Sequence, residues 1–211
     1  MSSYYPSITE LAVLSPTATV DAMYQALHAV EEHKLAALAV PPFWTKKLRR
    51  DMGQAHAAEL VAVVGSPYGY QRTEAKQLEA ELALKDGASA IELTLNVSAW
   101  QSASAGWIKI ETVKLAKYLH DQEKPLTVRL ELHQIAEPTL PKLLKTLSDA
   151  GADYVKVLLN DAGTLLSATT RLRELLPQVT GLKIGTSTLS GVSPDTLEKA
   201  GAERIELPFP H

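Results

Sequence analysis

Two lysines stand inside short apolar runs, and their chemistry is the sharpest signal in the chain. Lys156 lies in Tyr154-Val155-Lys156-Val157-Leu158, and Lys183 lies in Leu182-Lys183-Ile184. An ionised side chain inside a strand covered on both faces is costly unless it is paired. Two ammonium groups aimed into one cavity repel, and burial also disfavours the charged form, so one amine should lose its proton more readily. A neutral amine attacks carbonyl carbon and forms a Schiff base, an electron sink for carbon–carbon cleavage. Glu92, in another apolar run, could shuttle protons at the carbinolamine. The competing reading makes both lysines core-edge cations that snorkel or form salt bridges with Glu92 and Glu131. Spacing leaves the two readings open.

Other polar residues interrupt apolar runs: Glu10, Thr94, Asn96, Arg129, Glu131 and Glu206. The six histidines are His28, His33, His56, His120, His133 and His211. No pair has the helical i, i+4 spacing of a metal site, and only His133, just past the fifth strand, has a barrel-mouth position. Ser66, in Val64-Gly65-Ser66-Pro67, lacks the glycine flanks of a nucleophile elbow. No metal or cofactor is expected.

The elements that must position these residues alternate along the chain. Strand-like runs cover 8–14, 35–40, 60–65, 90–96, 126–132, 153–159, 181–186 and 203–209. Helical periodicity fills the intervals. Asp21–His33 gathers Met23, Ala26, Leu27 and Val30 on one face. Thr73–Asp86 does so with Ala75, Leu78, Leu82 and Ala83, and Pro138–Asp149 with Leu140, Leu143, Leu144 and Leu147. Thr19 and Thr73 suit N-cap or first-turn positions. Gly-Ala follows three helices, at Gly87, Gly151 and Gly201, where a left-handed glycine ends a helix before the next strand. Eight strands alternating with helices predict one parallel (β/α)8 barrel over residues 1–211, lacking the final helix. Barrel chemistry sits at the carboxyl ends of the strands. No Gly-x-Gly-x-x-Gly follows the first strand, which argues against a dinucleotide fold.

Composition narrows the rest. Of 211 residues, 45% are apolar and 21% charged, and the formal net charge is -3, so a nucleic-acid partner or an anionic membrane surface is not expected. The basic cluster Lys46, Lys47, Arg49 and Arg50 reads as a solvated helix face. The chain has no cysteine, which removes disulfides and thiolate chemistry. Neither a signal peptide nor an apolar run of membrane-spanning length is evident, so a cytoplasmic location is expected.

The segment VAVVGSPYGYQRTEAKQLEAELALKDGASAIELTLN resembles the deoxyribose-phosphate aldolases, whose pattern is roughly V-x-V-G-F-P-x-G-x-x-T-x-E-x-K-x-x-E-A-x-x-A-x-x-x-G-A-x-E-[IV]-D. ITELAVLSPTATVDAM is similar to their opening I-D-H-T-L-L-x-P-x-A-T, and LAALAVPPFW to A-x-V-C-V-x-P. LTVRLEL is similar to L-K-V-I-x-E-T, GADYVKV to G-A-D-[FY]-[VI]-K-T, and GLKIGTSTLSGVSPDTLEKAGAERI to the G-[VI]-K-x-x-G-G-[IV]-R-T region. The likeness is collinear from Ile8 to Ile205. It implies that Lys156 is the Schiff-base lysine, that Lys183 lowers its pKa, and that Glu92 and Glu10 replace two aspartates. Candidate substrate contacts are Glu10, Asn96, Glu131, Thr186 and Glu206. It also implies a small carbonyl substrate and a homodimer.

The departures are specific. K-T-S-T-G reads Lys156-Val157-Leu158-Leu159-Asn160, and G-G-[IV]-R-T reads Gly185-Thr186-Ser187 without the second glycine or the arginine. The closing I-G-[AT]-S reads Ile205-Glu206-Leu207-Pro208. Glu206 should repel a phosphate dianion, and Pro208 offers no N–H. Two functions follow as expectations: a Schiff-base aldolase for a small unphosphorylated carbonyl compound, or a catalytically degenerate barrel that binds a ligand or partner. A structure that locks each lysine in an ion pair with a carboxylate favours the second.

Overall fold

The computed structural model describes residues 7–102, 104–189 and 191–210. Eight parallel strands close into a barrel in chain order. They are β1 (Thr9–Ala12), β2 (Ala37–Val40), β3 (Glu59–Val64), β4 (Ala90–Thr94), β5 (Leu126–Glu131), β6 (Tyr154–Leu159), β7 (Gly181–Thr186) and β8 (Arg204–Pro208). Every expected strand is present, in the (β/α)8 arrangement. Closure comes from β1 pairing with β8, Thr9 opposite Ile205 and Glu10 opposite Glu206. Closing the sheet removes the exposed edges that an open sheet must protect.

The helices are α1 (Val20–Glu32), α2 (Pro42–Met52), α3 (Thr73–Lys85), α4 (Val97–Gln101), α5 (Ala105–His120), α6 (Leu140–Asp149), α7 (Leu165–Leu175) and α8 (Pro194–Lys199). Among the described residues no helix follows β8, and none is long and apolar enough to cross a membrane. Most strand residues are fully buried, because helices cover the outside and side chains fill the inside. The main core layer lies between strands and helices, where α6 buries Leu140, Leu143, Leu144 and Leu147 as its period requires. In α1, Thr19 caps the amino end by accepting from the Ala22 N–H, and Met23, Ala26, Leu27 and Val30 are buried.

Two helix faces differ from the expectation. α3 turns Lys76, Ala80 and Ala83 inward and leaves Leu78 and Leu82 half exposed. The inward lysine is fully buried because its amine reaches the Thr94 carbonyl at 3.2 Å and Glu111 on α5 at 3.0 Å. Its N-cap is Arg72, with Thr73 as the first helical residue. In α2 the basic cluster is not wholly solvated. Arg49 is buried and donates to the Gly87 carbonyl at 2.7 Å, the Gly53 carbonyl at 3.1 Å and the Ser89 hydroxyl at 2.9 Å. It thereby fixes the turn between α3 and β4, the strand that carries Glu92.

That turn needs its glycine twice over. Gly87 has φ +100, and a Cβ there would lie 2.4 Å from Arg49 Cγ, on a side chain held by its three hydrogen bonds. Gly87→Ala should therefore destabilise the protein by roughly 1–3 kcal/mol from backbone strain, before any loss of Arg49 contacts. Urea unfolding measures this, and an unchanged midpoint would show that the turn relaxes freely.

Candidate active site

The inward positions of six strands converge on one cluster. Lys156 on β6 is fully buried and donates all three of its ammonium protons to carboxylates: Glu10 Oε2 at 2.7 Å, Glu92 Oε2 at 2.8 Å and Glu206 Oε2 at 2.7 Å. Lys183 on β7 donates to the other Glu10 oxygen at 2.9 Å, and its ammonium lies 4.9 Å from the centre of the Tyr154 ring. Arg129 on β5 completes the group. Its Nη1 donates to Glu92 Oε1 at 3.0 Å and to both Glu206 oxygens at 2.7 and 2.8 Å. Three acids meet three cations, so the cluster is formally neutral. That balance is what allows six ionised groups to share a barrel interior.

The register explains how side chains so distant in sequence meet. Arg129 pairs with Lys156, Lys156 with Lys183, and Lys183 with Arg204 across four adjacent strands. Strands in a closed barrel are staggered, so the members of such a row sit at successive depths. Arg129 opens onto the pocket at the carboxyl end, whereas Arg204 donates to the Ser7 carbonyl and lies 3.9 Å from Glu59 at the amino end. Arg204 is also 3.8 Å from Glu10. A ladder of cations interleaved with carboxylates thus runs through the barrel from one mouth to the other.

The electrostatics follow from contact and burial together. Burial alone would strip the proton from Lys156, but Glu10, Glu206 and Glu92 outweigh it and hold the amine well above the ordinary lysine range. Burial likewise pushes the Glu10 carboxyl up, and the ammonium groups of Lys156 and Lys183 more than reverse this. Glu206 is lowered against the same burial penalty by Lys156 and Arg129. Arg129 is raised: Glu206 and Glu92 overcome desolvation. Glu10 bridges the two lysines, and the direction of the shift on Lys156 follows its carboxylate neighbours, not Lys183.

Glu10, Glu92, Glu206, Lys156 and Lys183 are brought together; the other candidates are not. Asn96 caps α4, accepting from the Ala99 N–H at 3.0 Å. The Thr186 hydroxyl donates to the Thr188 carbonyl at 2.9 Å. Glu131 stands at the rim of the carboxyl-end pocket, 3.3 Å from His133. Glu206 does not face solvent where it could repel a phosphate, because its side chain is almost fully buried and neutralised by Lys156 and Arg129. Arg129, read from sequence only as a polar interruption of its strand, and Arg204, not singled out there, join the site. Their signal was the strand register, which a single sequence does not display. Above the cluster lies a cavity of about 340 Å³, bounded by the loop between β3 and α3, by α4 and by the end of β5.

Removing one member of this cluster strands its partners. Lys156→Met should cost roughly 3–5 kcal/mol, because three carboxylates then share too little positive charge. The pH dependence has a definite sign. Glu10 and Glu206 have lowered folded values, so their contribution is complete above the unperturbed 4.5 and is lost as pH falls toward the depressed values. Lys156 is raised from 10.5, so its contribution is complete below that value and is lost only in strong base. The thermal midpoint should be level between about pH 6 and 9 and should fall between about pH 5 and 3. Glu10→Gln should lower the plateau and flatten the acid limb. A midpoint unchanged down to about pH 3 would contradict the assigned ionisation.

Comparison with known proteins agrees with the architecture. No protein-family model matches the chain. The deoxyribose-phosphate aldolase of Thermococcus kodakarensis is 28% identical over 197 residues, covering 91% of this chain and 87% of that protein. The deoxyribose-phosphate aldolase of Brevibacillus brevis is 26% identical, covering 92% and 87%. Among solved structures, an aldolase named QR15 superposes with a TM-score of 0.81 at 21% identity, covering 96% of this chain and 90% of that one. The tetrameric deoxyribose phosphate aldolase of Aeropyrum pernix gives 0.79 at 24% identity, covering 95% and 85%. At these identities the structural likeness establishes the fold, and the sequence likeness to aldolases supports an aldolase or lyase function. The chain is thus similar to deoxyribose-phosphate aldolases along about nine-tenths of its length, at 26–28% identity.

Proposed function

We propose that this barrel binds a small molecule at its carboxyl-end mouth without Schiff-base chemistry, and that Lys156 is a structural ammonium ion. One observation carries this reading: all three N–H groups of Lys156 are engaged by carboxylates at full burial. A Schiff base requires a lone pair on nitrogen. Here three anions around the amine favour its protonated form and oppose loss of the proton. Val157, Leu158 and Leu159 follow Lys156 where the resembled pattern has hydroxyl-bearing residues that could assist proton transfer.

The second reading is a class I aldolase-type lyase for a small, unphosphorylated aldehyde or ketone. Likeness to aldolases over nine-tenths of the chain favours it. So does the direct pairing of Lys156 with Lys183 on adjacent strands. In that reading Arg129 must release Glu206, and Lys156 must pass its proton to a glutamate before attacking a carbonyl carbon.

Reductive trapping separates the two. The protein is incubated with acetaldehyde or glyceraldehyde, treated with borohydride, digested and mapped by mass. The expected result is an unmodified Lys156 with adducts confined to exposed amines such as Lys46, whose side chain is 82% exposed. Selective labelling of Lys156 would overturn the proposal and establish the aldolase reading.

A further inference from the structure

The opposite end of the barrel holds another cavity. It opens among the starts of β1, β2, β3 and β8, and its volume is about 580 Å³, within the range of small-molecule sites. We infer that it binds a zwitterion, an α-amino acid with an aliphatic side chain, with Arg204 and Lys34 taking the carboxylate and Glu31 and Glu59 the ammonium. All three donors of Lys156 go to other residues, so the site stands whether that amine is structural or catalytic.

The cations are under-used. Arg204 makes one hydrogen bond, from Nη1 to the Ser7 carbonyl at 3.0 Å. Its Nε lies 3.8 Å from Glu10 and its Nη2 3.9 Å from Glu59, both beyond hydrogen-bond distance. Glu10 is in any case already shared by two lysines. A guanidinium with free N–H groups on a cavity wall suits a carboxylate, which it can grip with two parallel bonds. Lys34 is exposed on the same cavity, and among the described residues no carboxylate pairs with it. It sits just after α1 with φ +52, whereas α3, α6 and α8 are each followed by a glycine at that point. A side chain in this left-handed position is strained, and glycine is the ordinary solution.

The acids are held ready. His56 accepts the Ala58 N–H on Nδ1 at 3.1 Å, which leaves its ring proton on Nε2. That nitrogen is 3.3 Å from Glu31 and orients the carboxylate, whose side chain is still half exposed. Glu59 is met only by the distant Arg204. Two acids and two cations leave the cavity balanced, so a ligand with one charge would leave two groups of the other sign without a match. A ligand with one charge of each sign engages both pairs. Between the charged groups the wall is apolar, from Val30, Leu35, Ala36 and Ala58, and accepts a hydrocarbon side chain.

Isothermal titration of the intact protein with L-leucine, 4-methylpentanoate and 3-methylbutylamine tests this assignment. The acid lacks the ammonium and the amine lacks the carboxylate, while all three carry the same branched hydrocarbon. Leucine should bind saturably, and each single-charge analogue about tenfold more weakly. Arg204→Gln should weaken leucine about tenfold. Two variants separate binding from folding. Lys34→Gly should weaken leucine about threefold while its thermal midpoint equals or exceeds the parent's, because glycine suits the left-handed position. Glu31→Gln should weaken leucine about threefold and leave 4-methylpentanoate unchanged, since that probe has no ammonium to lose. Absence of leucine binding, analogues that bind as tightly as leucine, or leucine affinity unchanged in both Lys34→Gly and Glu31→Gln would each overturn the assignment.

Discussion

The ammonium ion of Lys156 within three carboxylates is the interaction around which the barrel interior is arranged. No exposed surface of Lys156 remains, so its solvation is supplied entirely by protein. A lone ion there would be intolerable, and a lone ion pair would roughly break even against an apolar core. The cluster eases this limit by engaging every Lys156 donor and sharing its carboxylates among several cations. Lys156 uses every proton, Glu206 accepts with both oxygens, and Glu10 bridges two lysines. In a low-dielectric interior such completeness decides whether a polar network steadies the fold or weakens it.

Two of the six members bring a charge to positions that are uncharged in the aldolase pattern, and they do so together. Arg129 stands where that pattern has an apolar residue in L-K-V-I-x-E-T, and Glu206 stands where it has the glycine of I-G-[AT]-S. The structure makes them direct partners, 2.7 Å apart. Either alone would add an uncompensated charge beside Lys156. As a pair they change no net charge, close the upper side of the lysine and raise its proton affinity. Such contacting substitutions are expected to be strongly non-additive, so neither has a meaningful separate value.

Much of the scaffold was legible because it rests on local rules. Strands read from short apolar runs, and the turns at Gly87, Gly151 and Gly201 read from glycine, which each adopts with positive φ. What escaped depended on partners from elsewhere. Leu78 and Leu82 have helical spacing and yet face outward, because Lys76 finds Glu111 on α5 and a carbonyl at the end of β4. Arg49 belongs to a basic run and yet turns inward, because three acceptors wait behind it. At the site, residue types pointed to all six cluster members as polar interruptions of strands. That Arg129 partners Glu92 and Glu206, and the sign of the pKa shift on Lys156, required the register. Two lysines facing each other across bare space and two lysines separated by a glutamate predict opposite protonation states from one pair of sequence positions.

That opposition bears on what it takes to separate an aldolase scaffold from aldolase chemistry. The two lysines need not be lost, moved or even exposed to different strands. They remain register partners in neighbouring strands. It is enough to surround one of them with carboxylates and to tie the nearest carboxylate to an arginine. Under the non-catalytic reading proposed above, the same amine changes from a group selected for losing its proton into one that the fold requires to keep it. Restoring a nucleophile would mean withdrawing negative charge from three strands at once, and each single withdrawal passes through a state with a buried, unbalanced charge. The cluster is therefore held in place by the intermediates that would dismantle it as much as by its own stability.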